Sequence, residues 1–141
     1  VFMESGPDGA IGHGYTYSGH PVGCAAALAT LDVTFGQDLP GNALARGEQL
    51  MASLKALQAE YGMIGDVRGK GLMVGIELVA DRESKTPLDP QLGEALADRV
   101  FAAGAMIRVS GNIIIMSPPL VITESEIDSL AQALSVGFAG A

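Results

Sequence analysis

The residues from Gly12 to Pro21 combine glycines, hydroxyl side chains and the expected start of a helix. The glycines at positions 12, 14 and 19 let the backbone approach a ligand closely, and Thr16 and Ser18 add hydroxyl donors to the neighbouring backbone N–H groups. Such donors near the positive end of a helix suit a phosphate group. As a pattern alone, however, the stretch is more typical of a glycine-rich turn that caps a helix, with Ser18 as the N-cap.

Arg108 is the second residue whose type and setting could do chemistry. It lies in an apolar run between Ile107 and Val109, close to a turn. The planar guanidinium matches a carboxylate through two parallel hydrogen bonds, which an ammonium group cannot do. The alternative is an edge-strand arginine that pairs with a nearby acid or extends into water, and the spacing alone favours this alternative.

Apolar residues recur at helical spacing in two segments after the glycine-rich stretch. The first segment predicts a helix after Pro21, and the second predicts an amphipathic helix beyond a break at residues 38–41, where Pro40 and Gly41 stand. The expected inward residues are Cys24, Leu28, Leu31 and Phe35 in the first helix and Leu50, Leu54, Leu57 and Tyr61 in the second. The single cysteine, Cys24, is therefore interpreted as a small buried hydrophobe.

Strand patterns follow. Residues 72–79 alternate between an inward set beginning at Leu72 and an outward set, which predicts a strand with one face on a core. The preceding Arg68 to Gly71 is expected to be an exposed hairpin turn rather than an anion site formed by Arg68 and Lys70. Two further strands are predicted at residues 105–109 and 113–116, around the turn Ser110-Gly111-Asn112.

Two more helices carry clear start signals. Asp89 can cap a helix that begins at Pro90 and stops at Gly104, and Thr123 with Glu126 forms a capping box for the last helix. The expected inward residues are Leu92, Ala95, Leu96, Val100 and Ala103 in the former and Ile127, Leu130, Ala131 and Leu134 in the latter. The element order predicts an α+β unit in which helices cover a small sheet.

Composition limits the function classes. The chain has 141 residues, 48% of them hydrophobic, which is enough for a domain with its own core, and its formal net charge is −8. No basic run suggests nucleic acid, no apolar stretch approaches a membrane span, and the start shows no signal peptide. A lone cysteine offers neither a disulfide nor a metal site. We expect a cytoplasmic protein without a metal, and the abrupt start suggests a fragment.

The segment His13-Gly14-Tyr15-Thr16-Tyr17-Ser18-Gly19-His20-Pro21 resembles the His-Gly-aromatic-Thr-Tyr-Ser-Gly-His-Pro segment of class III aminotransferases, which use pyridoxal phosphate (PLP). The resemblance continues in order through residues 25–32, 64–73, 107–108 and 117–120 and is greatest to ω-amino acid or amine:pyruvate transaminases. It implies the C-terminal part of the α/β PLP-dependent transferase fold type I. Residues 1–36 would then end the PLP-binding large domain and form its connecting helix, and residues 37–141 would form the small α+β domain.

The resemblance also implies roles for the two candidate sites. Tyr15 and Thr16 would reach across a homodimer interface and donate hydrogen bonds to the PLP phosphate of the neighbouring subunit, although a turn hydroxyl that bonds its own backbone is the alternative for Thr16. Arg108 would bind the carboxylate of the substrate. We assign His13 and His20 to local hydrogen bonds and Tyr17 to interface packing.

The catalytic groups themselves are expected outside this chain. PLP enzymes need a lysine that holds the cofactor as a Schiff base and an acid on the pyridine nitrogen. In the family both lie upstream of the His-Gly-aromatic-Thr segment, and none of Lys55, Lys70 and Lys85 has a desolvated setting in the sequence. We therefore expect no catalytic residue here and no activity of the chain alone.

The resulting hypothesis is transamination, in which an amino group passes from an amine or ω-amino acid through PLP to a keto acid such as pyruvate. A related PLP-dependent racemase, mutase or decarboxylase is the first alternative. The second is a non-catalytic dimerisation domain, which applies if the chain is complete as given.

Overall fold

A computed structural model describes residues 14–140 and divides the chain into two compact units, residues 1–37 and 38–141. The first unit contains the helix α1, Pro21–Gly36. The second contains, in order, α2 (Leu39–Glu60), β1 (Ile64–Lys70), β2 (Met73–Asp81), β3 (Thr86–Pro87), α3 (Pro90–Ala102), β4 (Arg108–Ser110), β5 (Ile113–Met116) and α4 (Glu124–Ala139). The assignment of these units to a cofactor domain and a small domain stays a prediction.

Helix α1 begins where expected but is capped differently. His20 is the N-cap residue and makes no side-chain cap bond, whereas the Ser18 hydroxyl accepts a hydrogen bond from the backbone N–H of Tyr15 at 3.0 Å. Gly19 separates the two with a φ of +75°, so the chain turns between Ser18 and the helix. The prediction that Ser18 caps α1 was therefore wrong.

The expected buried stripe of α1 is also absent from the first unit. Cys24 is exposed, and 63% of the surface of Leu28 and 70% of that of Phe35 are accessible. No described residue of α1 is buried. The helix has apolar residues at the predicted positions, but no second element of residues 14–37 packs on them, so the predicted burial of Cys24 and its neighbours was wrong.

The second unit has a complete core built on an antiparallel sheet. The strand order is β1-β2-β5-β4, with β3 paired to β2 beside this path. The alternation predicted for residues 72–79 is confirmed, because Leu72, Val74, Ile76 and Leu78 are all buried. Val79, which was expected in the outward set, is buried instead. Its side chain lies against Gly65, where the β1–β2 pairing is irregular.

Two connections are shorter than the sequence suggested. Arg68, Gly69 and Lys70 form the end of β1 instead of a turn, since Lys70 still pairs with Met73, and only residues 71–72 turn the chain. Likewise, the break at residues 38–41 is reduced to residues 37–38, because Pro40 fits in the first turn of α2. Asp38 makes this possible with a left-handed backbone at φ 47° and a side chain that accepts from the N–H of Gly41.

Both later helix starts are confirmed. The Asp89 side chain accepts from the N–H of Gln91 at 2.9 Å, and the capping box of Thr123 and Glu126 is present in both directions. The inward face of α3 was partly wrong, since Leu92 is exposed and Gly93 is buried instead. Ala103 is exposed too, because α3 ends before it.

Two close contacts illustrate how the helices pack within the second unit. Gly47 of α2 lies directly on the β1–β2 turn, where a Cβ would stand 2.3 Å from the carbonyl oxygen of Gly71. Tyr61, which ends α2, stacks on Phe138 of α4 with ring centres 5.6 Å apart. Among residues 14–140, no helix is both long and apolar enough to cross a membrane.

Candidate cofactor and carboxylate sites

The turn at Tyr15 to Ser18 presents donors to solvent. The backbone N–H of Ser18 donates to the carbonyl oxygen of Tyr15 at 2.9 Å, and the Ser18 hydroxyl accepts a hydrogen bond from the N–H of Tyr15. Both hydrogen bonds of Ser18 therefore stay within the turn. Thr16 makes no hydrogen bond to any described residue through its hydroxyl or its N–H, and the residue is exposed. Ser18 thus has the local role that was the alternative for Thr16, and the exposed donors of Thr16 fit an anion such as a phosphate.

The aromatic residues of this turn are exposed as well. Tyr15 is 72% accessible and Tyr17 is 83% accessible, and the Tyr17 ring lies 6.2 Å from the imidazole of His20. The assignments of Tyr15 to the cofactor and of Tyr17 to an interface stay predictions. His13 lies outside the described residues.

Arg108 is the first residue of β4, an edge strand of the sheet, and its Cα partner is Ile115 on β5. No carboxylate of residues 14–140 forms an ion pair with its guanidinium, and no hydrogen bond from it is found in this part of the chain. One alternative, an arginine paired with a nearby acid, therefore does not describe Arg108. The residue is exposed, so a guanidinium extending into water is still compatible with the structure.

Arg68 shows what a paired arginine looks like in the same sheet. It lies on β1, the opposite edge strand, and contacts Asp66 at 2.9 Å and Glu77 at 2.8 Å. The hydrogen bond from Arg68 is the main cause that holds the pKa of Asp66 below its ordinary value. Because two carboxylates already bind its guanidinium, Arg68 is not available to a ligand in the way that Arg108 is.

A cleft of about 670 Å³ opens beside Arg108. One wall is the run from Ala105 to Arg108, and the other consists of the last two residues of β5, residues of the segment that follows it and one residue of α4. The lining residues are Ala105, Met106, Ile107, Arg108, Ile115, Met116, Ser117, Pro118, Pro119, Ile122 and Leu130. Arg108 is the one charged residue of this lining among the described residues, so the cleft combines a single cation with apolar walls.

The strand expected at residues 105–109 is shorter than predicted, and the cleft exists for that reason. Only Arg108 to Ser110 pair with β5, while Ala105 is attached to α3 through its N–H, which donates to the carbonyl oxygen of Val100 at 3.1 Å. Gly104 makes this return possible with a φ of +101°. The unpaired run between them leaves room in front of residues 117–119.

The sequence interpretation did not include Asn42, which contacts the second wall of the cleft. Its side-chain amide donates to the carbonyl oxygens of Leu120 at 2.7 Å and Ile122 at 3.0 Å. Asn42, Arg46 and Gln49 share one face of α2, and all three contact residues 120–128. Their i, i+4, i+7 spacing was visible in the sequence as a polar face, but their partners were not.

The lysines have the exposed settings expected for surface residues. Lys55 donates to Gln58 on the same helix face at 3.1 Å, Lys70 ends β1, and Lys85 stands in a polar turn with a φ of +56°. All three are exposed. Within the described residues, none of them has the desolvated, apolar surroundings in which a reactive lysine lies.

Comparison with known proteins identifies the family. The model of the class III aminotransferase family matches residues 3–137. An uncharacterized aminotransferase, y4uB, of Sinorhizobium fredii is 47% identical over 91% of this chain, and the taurine–pyruvate aminotransferase of Bilophila wadsworthia is 35% identical over 87%. These matches cover 29% and 28% of the two relatives, so the chain spans less than a third of their length.

Solved structures agree with this family. An amine transaminase from an uncultivated Pseudomonas species, in its PLP-bound form, has a TM-score of 0.87 and 48% identity over 92% of this chain and 30% of its own. A Bacillus anthracis aminotransferase has a TM-score of 0.87 and 32% identity over 99% of this chain and 33% of its own. The expected fold class, helices over a small antiparallel sheet from a PLP-dependent transferase, is confirmed. The chain belongs to the class III aminotransferase family, whose cofactor is pyridoxal phosphate.

Proposed function

We propose that this chain is the C-terminal part of an aminotransferase that moves an amino group from an amine or ω-amino acid to a keto acid such as pyruvate. The observation that carries the proposal is Arg108, a guanidinium without a protein carboxylate partner among the described residues, at the edge of an apolar cleft. A carboxylate bound there would accept charge-assisted hydrogen bonds from the guanidinium, beside side chains that are mostly apolar.

The lining of the cleft also bears on the acceptor. A keto acid with one carboxylate needs one cation, and Arg108 supplies it. The second carboxylate of a dicarboxylic acceptor would find no second cation in this lining, which apart from Arg108 and Ser117 consists of apolar side chains. We therefore propose a short monocarboxylic keto acid, of which pyruvate is the simplest methyl-bearing example.

We further propose that Tyr15 and Thr16 bind the phosphate of PLP across the interface of a homodimer. The cofactor supplies an aldehyde that carries the amino group between the two substrates. The support from this chain is the exposed hydroxyl and N–H of Thr16, which are donors that a phosphate can accept. The Schiff-base lysine would come from polypeptide outside this chain, since Lys55, Lys70 and Lys85 are all exposed.

The domain assignment is part of the same proposal. Residues 1–36 would end the cofactor domain and residues 37–141 would form the small domain that carries the carboxylate site, in a cytoplasmic enzyme. The division between residues 37 and 38 supports this assignment. The match to the aminotransferase family favours transfer over a racemase, mutase or decarboxylase and over a non-catalytic domain.

The test uses alanine and isopropylamine as donors in the holoenzyme that contains this chain, because these amines differ only by a carboxylate in place of a methyl group. We expect Arg108→Ala to raise the KM for pyruvate and for alanine about 10- to 100-fold, the loss expected for charge-assisted hydrogen bonds. The KM for isopropylamine should change by less than about threefold, since this donor has no carboxylate to lose.

Arg68→Ala is the matched control, because it removes a guanidinium from the other edge of the same sheet. It should leave all three KM values near those of the unaltered enzyme. Equal losses for alanine and isopropylamine in Arg108→Ala would overturn the role of Arg108. Failure of the unaltered enzyme to convert pyruvate into alanine would overturn transamination to this acceptor.

A further inference from the structure

The connector of residues 117–122 joins β5 to α4 and forms one wall of the cleft beside Arg108. Two of its residues, Pro118 and Pro119, have no backbone N–H and cannot donate to a neighbouring strand. The N–H of Ile122 donates within the connector, to the carbonyl oxygen of Pro119 at 3.0 Å. The backbone N–H groups of the connector therefore contribute little to holding it against the rest of the second unit.

Asn42 supplies the missing attachment from α2. Its Nδ2 group donates to the carbonyl oxygens of Leu120 and Ile122, which are 78 and 80 residues away in the sequence. Within residues 14–140, these are the only hydrogen bonds that join residues 118–122 to another element. One half-buried amide thus fixes the middle and the end of the connector at the same time.

We infer that Asn42 is a positioning residue for the carboxylate site, which holds the Pro118–Ile122 wall in the place that lets a substrate carboxylate reach Arg108. The inference rests on the proposed role of Arg108. Pro118, Pro119 and Ile122 line the cleft with Arg108, so a shift of the connector changes the width of the cleft at the guanidinium. Displacements of about 1 Å are sufficient to weaken a bidentate contact considerably.

Gln49 provides a matched comparison on the same face of α2. Its side chain donates to the carbonyl oxygen of Glu124 at 3.0 Å and to the Asp128 carboxylate at 2.7 Å, so it also makes two hydrogen bonds to the chain beyond β5. Its partners belong to α4 and not to the wall of the cleft. Losing either Asn42 or Gln49 removes tertiary hydrogen bonds, but only the loss of Asn42 releases the connector.

The experiment uses Asn42→Asp in the holoenzyme, because aspartate keeps the shape of the side chain and removes both N–H donors. We expect the KM for pyruvate and for alanine to rise about tenfold, with the KM for isopropylamine within about twofold of its original value. Gln49→Ala should lower the thermal stability without this separation of the substrates. Asn42→Ala should reproduce the KM pattern, which covers the case in which a carboxylate at position 42 prevents folding.

A double variant separates positioning from stability. In the Arg108→Ala background, Asn42→Asp should add no further rise in the KM for pyruvate, because the guanidinium that it positions is gone. Full additivity, or equal effects on alanine and isopropylamine, would overturn the inference while leaving the role of Arg108 intact. If Arg108→Ala alone leaves the KM for pyruvate unchanged, the proposed function has failed, whatever Asn42→Asp does.

Discussion

Helices α1 and α4 have the same length, sixteen residues, but differ in what covers their apolar side chains. Helix α4 packs on α2 and α3 and buries five residues, among them Ile127, Leu134 and Phe138. Helix α1 buries none of its described residues, and its apolar side chains are spread around the helix instead of being gathered on one face. Apolar residues at helical spacing therefore predict burial only where they form one distinct face and another element of the same unit packs on it.

The largest expected difference between the two units is in the cost of truncating a leucine to alanine in the 141-residue chain. Leu54 is fully buried in the second unit, whereas Leu28 of α1 is 63% accessible. Leu54→Ala should lower the free energy of unfolding by about 2–5 kcal/mol because it leaves a cavity. Leu28→Ala should change it by less than about 0.5 kcal/mol. Denaturant unfolding measures both, and equal costs would remove the distinction between the two units.

Glycine substitutions should sharpen the comparison, since their effects are expected to have opposite signs. A Cβ at position 47 would stand 2.3 Å from the carbonyl oxygen of Gly71, while at Gly23 of α1 nothing lies within 4 Å. Gly47→Ala should destabilise the chain by about 1–3 kcal/mol through overpacking. Gly23→Ala should stabilise α1 by about 0.5 kcal/mol. Thermal unfolding and helix content by circular dichroism test this, and a stabilising Gly47→Ala would contradict the close contact.

Replacing the N-cap residues of α4 and α1 should have a smaller effect on stability. Thr123 caps α4 reciprocally with Glu126, whereas His20 caps α1 without a side-chain bond. Thr123→Ala should cost about 1 kcal/mol of stability because an N–H at the first turn of α4 loses its acceptor. His20→Ala should cost a few tenths of that or nothing. The denaturation midpoints of the two variants give the answer, and a larger loss for His20→Ala would reverse the assignment of caps.

The smallest expected effect is a loss of folding stability at low pH. Arg68 lowers the pKa of Asp66, and hydrogen bonds from Thr123 lower the pKa of Glu126, so the unfolded chain binds more protons in acid than the folded chain. Stability should therefore fall slightly as the pH drops below the ordinary values of 4.5 for Glu and 3.8 for Asp. Denaturation at a series of pH values measures this. Arg68→Met should reduce the contribution of Asp66 to this pH dependence. A free energy of unfolding that rises in acid would contradict the prediction.

Features that depend on neighbours in sequence were predictable. The alternation of β2, the cap at Asp89 and the capping box at Thr123 follow from side chains within a few residues of one another, and the structure confirms each of them. One local expectation, the Ser18 cap of α1, was wrong. The other wrong expectations concern the burial of Cys24 and Leu92, the length of the strand that ends at Ser110 and the extent of the turn at Arg68. These depend on which distant elements pack or pair, which local periodicity does not encode.

The candidate sites likewise combine features that the sequence predicts with features that depend on distant residues. Arg108 was singled out by its type and setting and received its proposed role from the family resemblance. Its lack of a carboxylate partner among residues 14–140 is a property of the folded sheet. The acids that bind Arg68 show this, because Glu77 is a cross-strand neighbour on β2. Asn42 could not be identified as part of the cleft, since its two acceptors follow β5, far along the chain.

The stacking of Tyr61 on Phe138 gives the chain a built-in optical probe. The chain has no tryptophan and three tyrosines, of which Tyr15 and Tyr17 are exposed in the first unit. Replacing these two by phenylalanine would leave a single phenol, at the junction of α2 and α4. Its ultraviolet absorbance and fluorescence would then follow the melting of the second unit without a contribution from the glycine-rich turn.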